Sequence, residues 1–318
     1  MPDSLRPPRI IAHRGASGYL PEHTLEAKAF AYAAGADYLE QDVVLTRDDV
    51  PIVIHDRTLD TVTDVRQRFP DRARKDGRNY AIDFTWAELQ TLTVHERTDL
   101  KTGRAVYPLR YPLAKARFRL HTLAEEIEFI HGLNHSTGRT VGIYPEIKSP
   151  AFHHAEGKDI SAIVLQVLRD YGYRSREDEC FLQCFNAAEL QRIHQELHCE
   201  LRLVQLIGDP SWKEHESDYV RLLTSEGLTE VAQYADGVGP TIEAIVNGDA
   251  QQPAVTSLVR DAHAVGLEVH PFTLRVDDLP RFAGDHDEAS RLLFDVAGID
   301  GLFTDFPDRL KSYLQRHA

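Results

Sequence analysis

The hydrophobic positions of this chain fall into short apolar runs separated by longer stretches with helical spacing. Arg9–His13 (RIIAH), Tyr38–Leu45 (YLEQDVVL), Val141–Ile147, Cys180–Phe185, Leu201–Ile207, Asp236–Gly239, Glu268–Thr273 and Gly301–Thr304 read as strands. Between them, helical patterns cover Thr24–Gly35, Thr122–His135, Asp159–Tyr171, Ala187–Leu197, Pro253–Ala264 and Pro307–Gln315. Thr122 with Glu125, and Thr85 with Glu88, have the Ser/Thr-x-x-Glu spacing in which two side chains satisfy the free N–H groups that open a helix.

A ninth run, Ile52–His55, follows Leu45 too closely for a parallel crossover, which takes about a dozen residues, so it should fold back as a hairpin. The eight strand–helix units that remain predict an α/β fold, a TIM-type (β/α)8 barrel. A doubly wound open sheet is the runner-up, although no G-x-G-x-x-G follows the first strand. From Arg57 to Arg119 the alternation stops, in a stretch rich in Pro, Gly and Arg. This stretch reads as a small subdomain (57–119) inserted into one domain spanning 1–318, with a helix at Thr85–Leu92. A smaller irregular stretch, Asp209–Glu230, interrupts the sixth unit.

Composition narrows the class. The 318 residues are 42% hydrophobic and 27% charged, as in globular proteins. No apolar run approaches the roughly 18 residues of a membrane span, so membrane insertion is not expected. The start, Met1–Arg9, holds Pro2, Pro7 and Pro8 and does not read as a signal peptide. The three cysteines are too few for a disulfide framework and lack zinc spacing. Thirty-six basic against 50 acidic side chains give -14, which argues against nucleic acid as a partner. That charge is unevenly spread: 57–119 carries 14 Lys and Arg against 8 Asp and Glu, or +6, and the rest -20. A basic insertion over or beside a barrel mouth is expected to draw anionic ligands toward it.

Reactive residues of TIM-type barrels gather at the C-terminal strand ends. Here the first strand ends in His13-Arg14-Gly15, the second carries Glu40 and Asp42 on one face, the hairpin returns with His55-Asp56, and the next barrel strand ends in Glu146 and Lys148. Phe185, Phe272 and Asp305 lie at other strand ends. Three carboxylates converging on one mouth repel one another unless a cation joins them, and hard oxygen donors suit Mg²⁺ or Ca²⁺. His13 and His55 titrate near neutrality in water and are natural proton carriers, with Asp56 placed to orient a histidine. Arg14 and Lys148 complete an anion cradle, for which phosphate is the natural occupant. Phe185 and Phe272 are candidates for an apolar wall, and His153-His154 for a place near the mouth. Metal, proton carriers and fixed cations together describe phosphodiester cleavage.

The run IIAHRGASGYLPEHTLEAKAFAYAAGADYLEQDVVLTRDDVPIVIHD, with YPEIK and GLFTDFPD, resembles the glycerophosphodiester phosphodiesterase family. It is most similar to the bacterial periplasmic type, which shares RFPDRARKDGR and FHHAEGKDI; the resemblance spans roughly residues 9 to 314. It implies a TIM barrel with an inserted subdomain, and hydrolysis of small glycerophosphodiesters such as glycerophosphocholine to an alcohol and sn-glycerol 3-phosphate. By motif, Glu40, Asp42 and Glu146 match the metal ligands, His13 and His55 the acid–base pair, and Arg14 and Lys148 the phosphate contacts; Ca²⁺ is the favoured ion. It also implies a periplasmic location if a signal peptide was removed, and a cytoplasmic one if the start is native. Water attack and attack by the glycerol 2-hydroxyl both stay open, with His13 preferred as base and His55 as acid. Two other readings are a phospholipase of the phosphatidylinositol-cleaving or sphingomyelinase D type, and a non-catalytic metal-dependent binding protein. The first needs a membrane-facing aromatic surface, of which the insertion shows no run; the complete set of histidines and carboxylates speaks against the second. Oligomeric state is not legible.

Overall fold

The computed structural model describes residues 7–212 and 217–317. Eight parallel strands form its centre: β1 (Arg9–Ala12), β2 (Tyr38–Leu45), β4 (Gly142–Ile147), β5 (Phe181–Cys184), β6 (Arg202–Ile207), β7 (Gly237–Pro240), β10 (Glu268–Val269) and β11 (Gly301–Thr304). They follow the order β10-β7-β6-β5-β4-β2-β1-β11. The ring closes where Leu274 N donates to Phe303 O (2.9 Å) and Phe303 N to Pro271 O (3.0 Å). The fold is the TIM-type barrel that the alternation of runs predicts. The extra run, β3 (Pro51–Val53), pairs antiparallel with Val43–Leu45 as the short connection requires.

Two elements differ from expectation. The strand expected over Glu268–Thr273 has regular pairing only at Glu268–Val269, because Pro271 has no N–H to donate; His270, Phe272 and Leu274 continue it through single bonds. The helix expected over Pro253–Ala264 starts only at Leu258. Residues Gln252–Val255 (β9) instead pair with Val246–Asp249 (β8) in an exposed hairpin, in which Gly248 of β8, opposite Pro253, stands at φ 89°. The irregular stretch from Asp209 holds short helices at Tyr219–Leu222 and Ser225–Val231, and its residues 213–216 lie outside the described residues. Both capping boxes form, at Thr122 with Glu125 and at Thr85 with Glu88, although the second helix is only Trp86–Leu89.

Side-chain alternation builds the barrel interior. Ile11, Tyr38, Tyr144, Phe181, Val204 and Phe303 form one packed layer across the lumen, so the barrel is filled rather than open. A step of two residues along each strand moves from this layer to the C-terminal mouth: Ile11 to His13, Tyr38 to Glu40 and Asp42, Tyr144 to Glu146 and Lys148, Phe181 to Gln183 and Phe185, Phe303 to Asp305. The apolar floor thus fixes where the polar side chains stand.

The outward residues of β2 face a buried polar knot. Lys28 bonds Glu40 O and pairs with Glu126 Oε1 at 2.7 Å, Gln41 Nε2 donates to the same oxygen at 2.8 Å, and His121 donates to Glu126 Oε2 at 2.6 Å. The inserted stretch has its own apolar cluster, in which Leu59, Val62, Val65, Phe84, Leu92 and Phe118 pack on Val44, Ile52 and Ile54. It therefore rests on the outer face of the β2–β3 hairpin, next to the barrel mouth.

Candidate active site

His13, Arg14, Glu40, Asp42, His55, Glu146, Lys148, Phe185 and Phe272 all line one cavity of about 440 Å³ at the C-terminal mouth. Strand register places the acidic groups. Asp42 pairs with Glu146 across β2 and β4, Glu146 pairs with Gln183 on β5, and Glu40 precedes Asp42 by one full pleat. Oxygens of Glu40, Asp42 and Glu146 lie within 4.8 Å of one another, and all three residues are buried.

Each carboxylate is held from behind. Arg14 N and Gln183 Nε2 donate to Glu40 at 2.7 and 3.3 Å. His23 donates from Nε2 to Asp42 Oδ2 at 2.6 Å, and Lys148 meets Glu146 at 2.8 Å and Asp42 Oδ1 at 3.6 Å. Asp42 Oδ1 accepts no hydrogen bond although it is buried, a costly state for a carboxylate oxygen. Burial raises the Glu146 carboxyl to about 8 against the pull of Lys148, with Asp42 adding to the rise; burial and Asp42 also raise Glu40 well above its ordinary range. Burial would raise Asp42 too, but Lys148, His55 and His23 hold it well below that range. Three clustered oxygen donors, one of them orphaned, fit a hard divalent cation. A second grouping, His154, Asp159 and Glu189, is already bridged by the Arg192 guanidinium at 2.6 and 2.8 Å.

Both histidines are oriented by aspartates. His13 Nδ1 lies 2.6 Å from Asp305 Oδ1, and His55 Nδ1 lies 2.6 Å from Asp56 Oδ1. Asp305 and Asp56 are both held far below their ordinary pKa. Burial would raise them, but Arg275, His13 and Arg110 outweigh it at Asp305, and His55 and Arg97 at Asp56. An anionic carboxylate only accepts, so each Nδ1 carries the proton and each Nε2 is left as the reactive nitrogen. His13 Nε2 faces the acidic cluster, 4.0 Å from Glu40 Oε2. Burial, reinforced by Arg14, lowers His13 to about 4 and His55 to about 3, so both rings are neutral at pH 7.

The cations are less free than their sequence positions suggest. Arg14 Nη1 bonds both oxygens of Glu22 at 3.1 Å, leaving its buried Nε without a hydrogen-bond partner. Arg275, which no sequence motif marks, lines the cavity with its Nε on Asp305 Oδ2 at 2.8 Å. Phe185 packs edge-on against Phe272 (5.7 Å) and at 6.1 Å from Trp212, so three aromatic rings form one wall. Trp212 and Glu243 also line the cavity and lay in segments without a recognisable motif. His153 does not line it: it donates from Nδ1 to Ser149 O, accepts from Leu45 N and ties down the end of β2.

The comparison with known families decides the class. The glycerophosphoryl diester phosphodiesterase family matches residues 13–309. The chain belongs to the glycerophosphoryl diester phosphodiesterase family. A glycerophosphodiester phosphodiesterase of Haemophilus influenzae is 48% identical over 96% of this chain and 89% of its own length. One of Treponema pallidum is 41% identical, covering 97% of this chain and 92% of its own. The fold is shared with an Oleispira antarctica phosphodiesterase solved with its product sn-glycerol-3-phosphate, at TM-score 0.65 and 21% identity over 97% of both chains. As a member of this phosphodiesterase family the chain is a hydrolase of glycerophosphodiesters, small molecules in keeping with a cavity of about 440 Å³. No helix among the described residues is long and apolar enough to cross a membrane.

Proposed function

We propose that the chain hydrolyses glycerophosphodiesters to an alcohol and sn-glycerol 3-phosphate with a divalent cation held by Glu40, Asp42 and Glu146. The observation that carries this reading is the convergence of those three buried carboxylates in one cavity with two aspartate-oriented histidines. The product bound to the Oleispira protein supports the same product here. When bound, the cation supplies charge neutralisation and Lewis-acid polarisation at a phosphate oxygen. Ca²⁺ suits a set of three carboxylates that leaves further positions to water and substrate oxygens, and Mg²⁺ satisfies the same donors.

The protein's own groups do the rest. Arg14, Lys148 and Arg275 line the cavity and would neutralise the phosphate from its walls, and Phe185, Phe272 and Trp212 would offer an apolar wall to the carbons beside it. His13, with Nε2 toward the cluster, takes the proton from the attacking oxygen. His55, whose side chain is 30% exposed against 10% for His13, first takes a proton from solvent on Nε2 through the open side and passes that proton to the departing alcohol, while His13 later gives its own proton back to solvent. Each transfer is worth about 10²- to 10⁴-fold. The test is release of glycerol 3-phosphate from several glycerophosphodiesters, with and without chelator, by the wild type, His13→Ala and His55→Ala at saturating Ca²⁺ or Mg²⁺. Loss of release on chelation, and in both variants, is expected. Near-normal turnover in either variant would remove that histidine from the mechanism, and turnover unaffected by chelator would remove the metal.

A further inference from the structure

The insertion meets the active site at two places, and each ends on the carboxylate behind a histidine. Arg97 donates from Nη1 to Asp56 Oδ2 at 2.7 Å, on the carboxylate whose other oxygen receives His55 Nδ1–H. Arg110 donates from Nη2 to Asp305 Oδ2 at 2.7 Å, on the carboxylate whose other oxygen receives His13 Nδ1–H. Both guanidiniums are well covered, with side-chain exposures of 18% and 5%.

Neither contact is isolated. Arg97 also grips Glu22 through Nε (2.9 Å) and Nη2 (2.6 Å), and Glu22 binds Arg14. Arg110 is fixed by Asp277 through Nε (2.8 Å) and by Ser17 O, while its ring neighbour Tyr107 lies 3.7 Å from the guanidinium carbon. Thr61 of the insertion adds a second donor to Asp56 at 2.9 Å. A carboxylate with one oxygen on a histidine turns freely about its terminal bond unless its second oxygen is held too; on Asp305 that oxygen also takes Arg275 Nε at 2.8 Å, so Arg110 shares the hold with a barrel residue. A planar guanidinium with fixed donors holds it in a way that a flexible ammonium does not.

We propose that the insertion is a positioning device for catalysis, in which Arg97 and Arg110 lock Asp56 and Asp305 and thereby hold His55 and His13 as Nδ1–H tautomers with Nε2 aimed into the cavity. Arg97 and Arg110 are positioning residues that touch neither substrate nor metal ligand. The proposal rests on the acid–base reading of the two histidines and adds to it that a segment outside the barrel repeat sets their geometry.

The experiment is long-range ¹H–¹⁵N NMR of the full chain labelled at histidine, run beside steady-state kinetics on glycerophosphocholine, for the wild type, Arg97→Gln and Arg110→Gln. In the wild type both rings should show the Nδ1–H pattern, assigned by the loss of one signal set in His13→Asn and His55→Asn. Arg97→Gln should disturb only His55 and Arg110→Gln only His13, with kcat down about 10- to 100-fold in the first, less in the second because Arg275 still holds Asp305, and KM within about twofold in both. Arg→Lys at either site should restore the tautomer in part. If a Gln variant does not fold, Asp277→Asn loosens Arg110 from the barrel side and should broaden the His13 signal alone. Tautomers unchanged while kcat falls would overturn the positioning proposal and leave the acid–base reading standing. Tautomers changed while kcat holds would instead overturn the acid–base reading, and the catalytic purpose of the positioning with it.

Discussion

His13 and Asp305 stand 292 residues apart in the chain and 2.6 Å apart at the barrel mouth. β1 and β11 are neighbours in the closed ring, in a register that pairs Ala12 with Thr304, so the residues just beyond them meet. Asp305→Asn keeps the size of the side chain but removes the anion that fixes the imidazole proton. We predict that kcat on glycerophosphocholine falls roughly 10²- to 10⁴-fold, the range for a misplaced proton carrier, with KM little changed and the melting temperature lowered, because Arg110 and Arg275 lose their buried carboxylate. A variant retaining a third or more of wild-type kcat would show that Asp305 does not orient the base.

That pair also marks what the sequence makes legible. Strand parity carries Phe303 to Asp305 as surely as Tyr38 to Glu40, so the place of Asp305 was readable once the barrel was recognised. The partners Arg97 and Arg110 were not, because they lie in irregular chain whose course is set by tertiary packing rather than by periodicity. The uneven charge of 57–119 was visible, but its meaning changes with the contacts. Arg97 neutralises Glu22 and Asp56, Arg110 neutralises Asp277 and Asp305, and Arg74 reaches Glu156. Much of the positive charge is therefore complementary to the acidic mouth, and a smaller part than the net +6 faces arriving substrate. Two short segments escape periodicity for related reasons: Pro271 breaks its strand's ladder by its missing N–H, and Gln252–Val255 is drawn into a hairpin by its pairing with Val246–Asp249, which helical spacing does not show.

Cation binding should release protons. With Glu146 raised to about 8 and Glu40 raised well above its ordinary range, the cluster keeps protons at pH 7 that a bound cation must displace. Affinity for Ca²⁺ or Mg²⁺ should therefore rise with pH between about 6 and 8. Titration calorimetry of the wild type in buffers of different ionisation enthalpy should report that release, and Glu146→Gln should both weaken binding and release fewer protons. Binding enthalpies that do not depend on the buffer would contradict it.

The knot behind β2 predicts a stability effect. Lys28→Met leaves the Glu126 carboxylate at zero exposure with its cation gone, and only His121 and Gln41 remain as donors. Breaking a buried pair from one side costs about 3–5 kcal/mol. Lys28→Met should therefore lose that much in urea unfolding, whereas the double change Lys28→Met with Glu126→Gln should recover part of it. No recovery in the double variant would mean the lost contact to Glu40 O, and not the stranded charge, dominates.

Glu96 gives a pH-dependent prediction outside the cavity. It is 3% exposed, Oε1 accepts only from Arg97 N, and Oε2 has no hydrogen bond. Burial raises its pKa from 4.5 to about 7, and Glu22 adds to the rise. The folded state therefore holds a proton that the unfolded chain gives up above 4.5. The stabilisation this provides is complete below pH 4.5, shrinks as pH rises and is gone above about 7, where the buried site must carry the anion. Glutamine mimics the protonated carboxyl at every pH. Glu96→Gln should lie within about 1 kcal/mol of the wild type in urea unfolding near pH 5 and exceed it by roughly 3 kcal/mol at pH 8. A stability difference that is the same at both pH values would show that Glu96 is already ionised in the folded protein at pH 5.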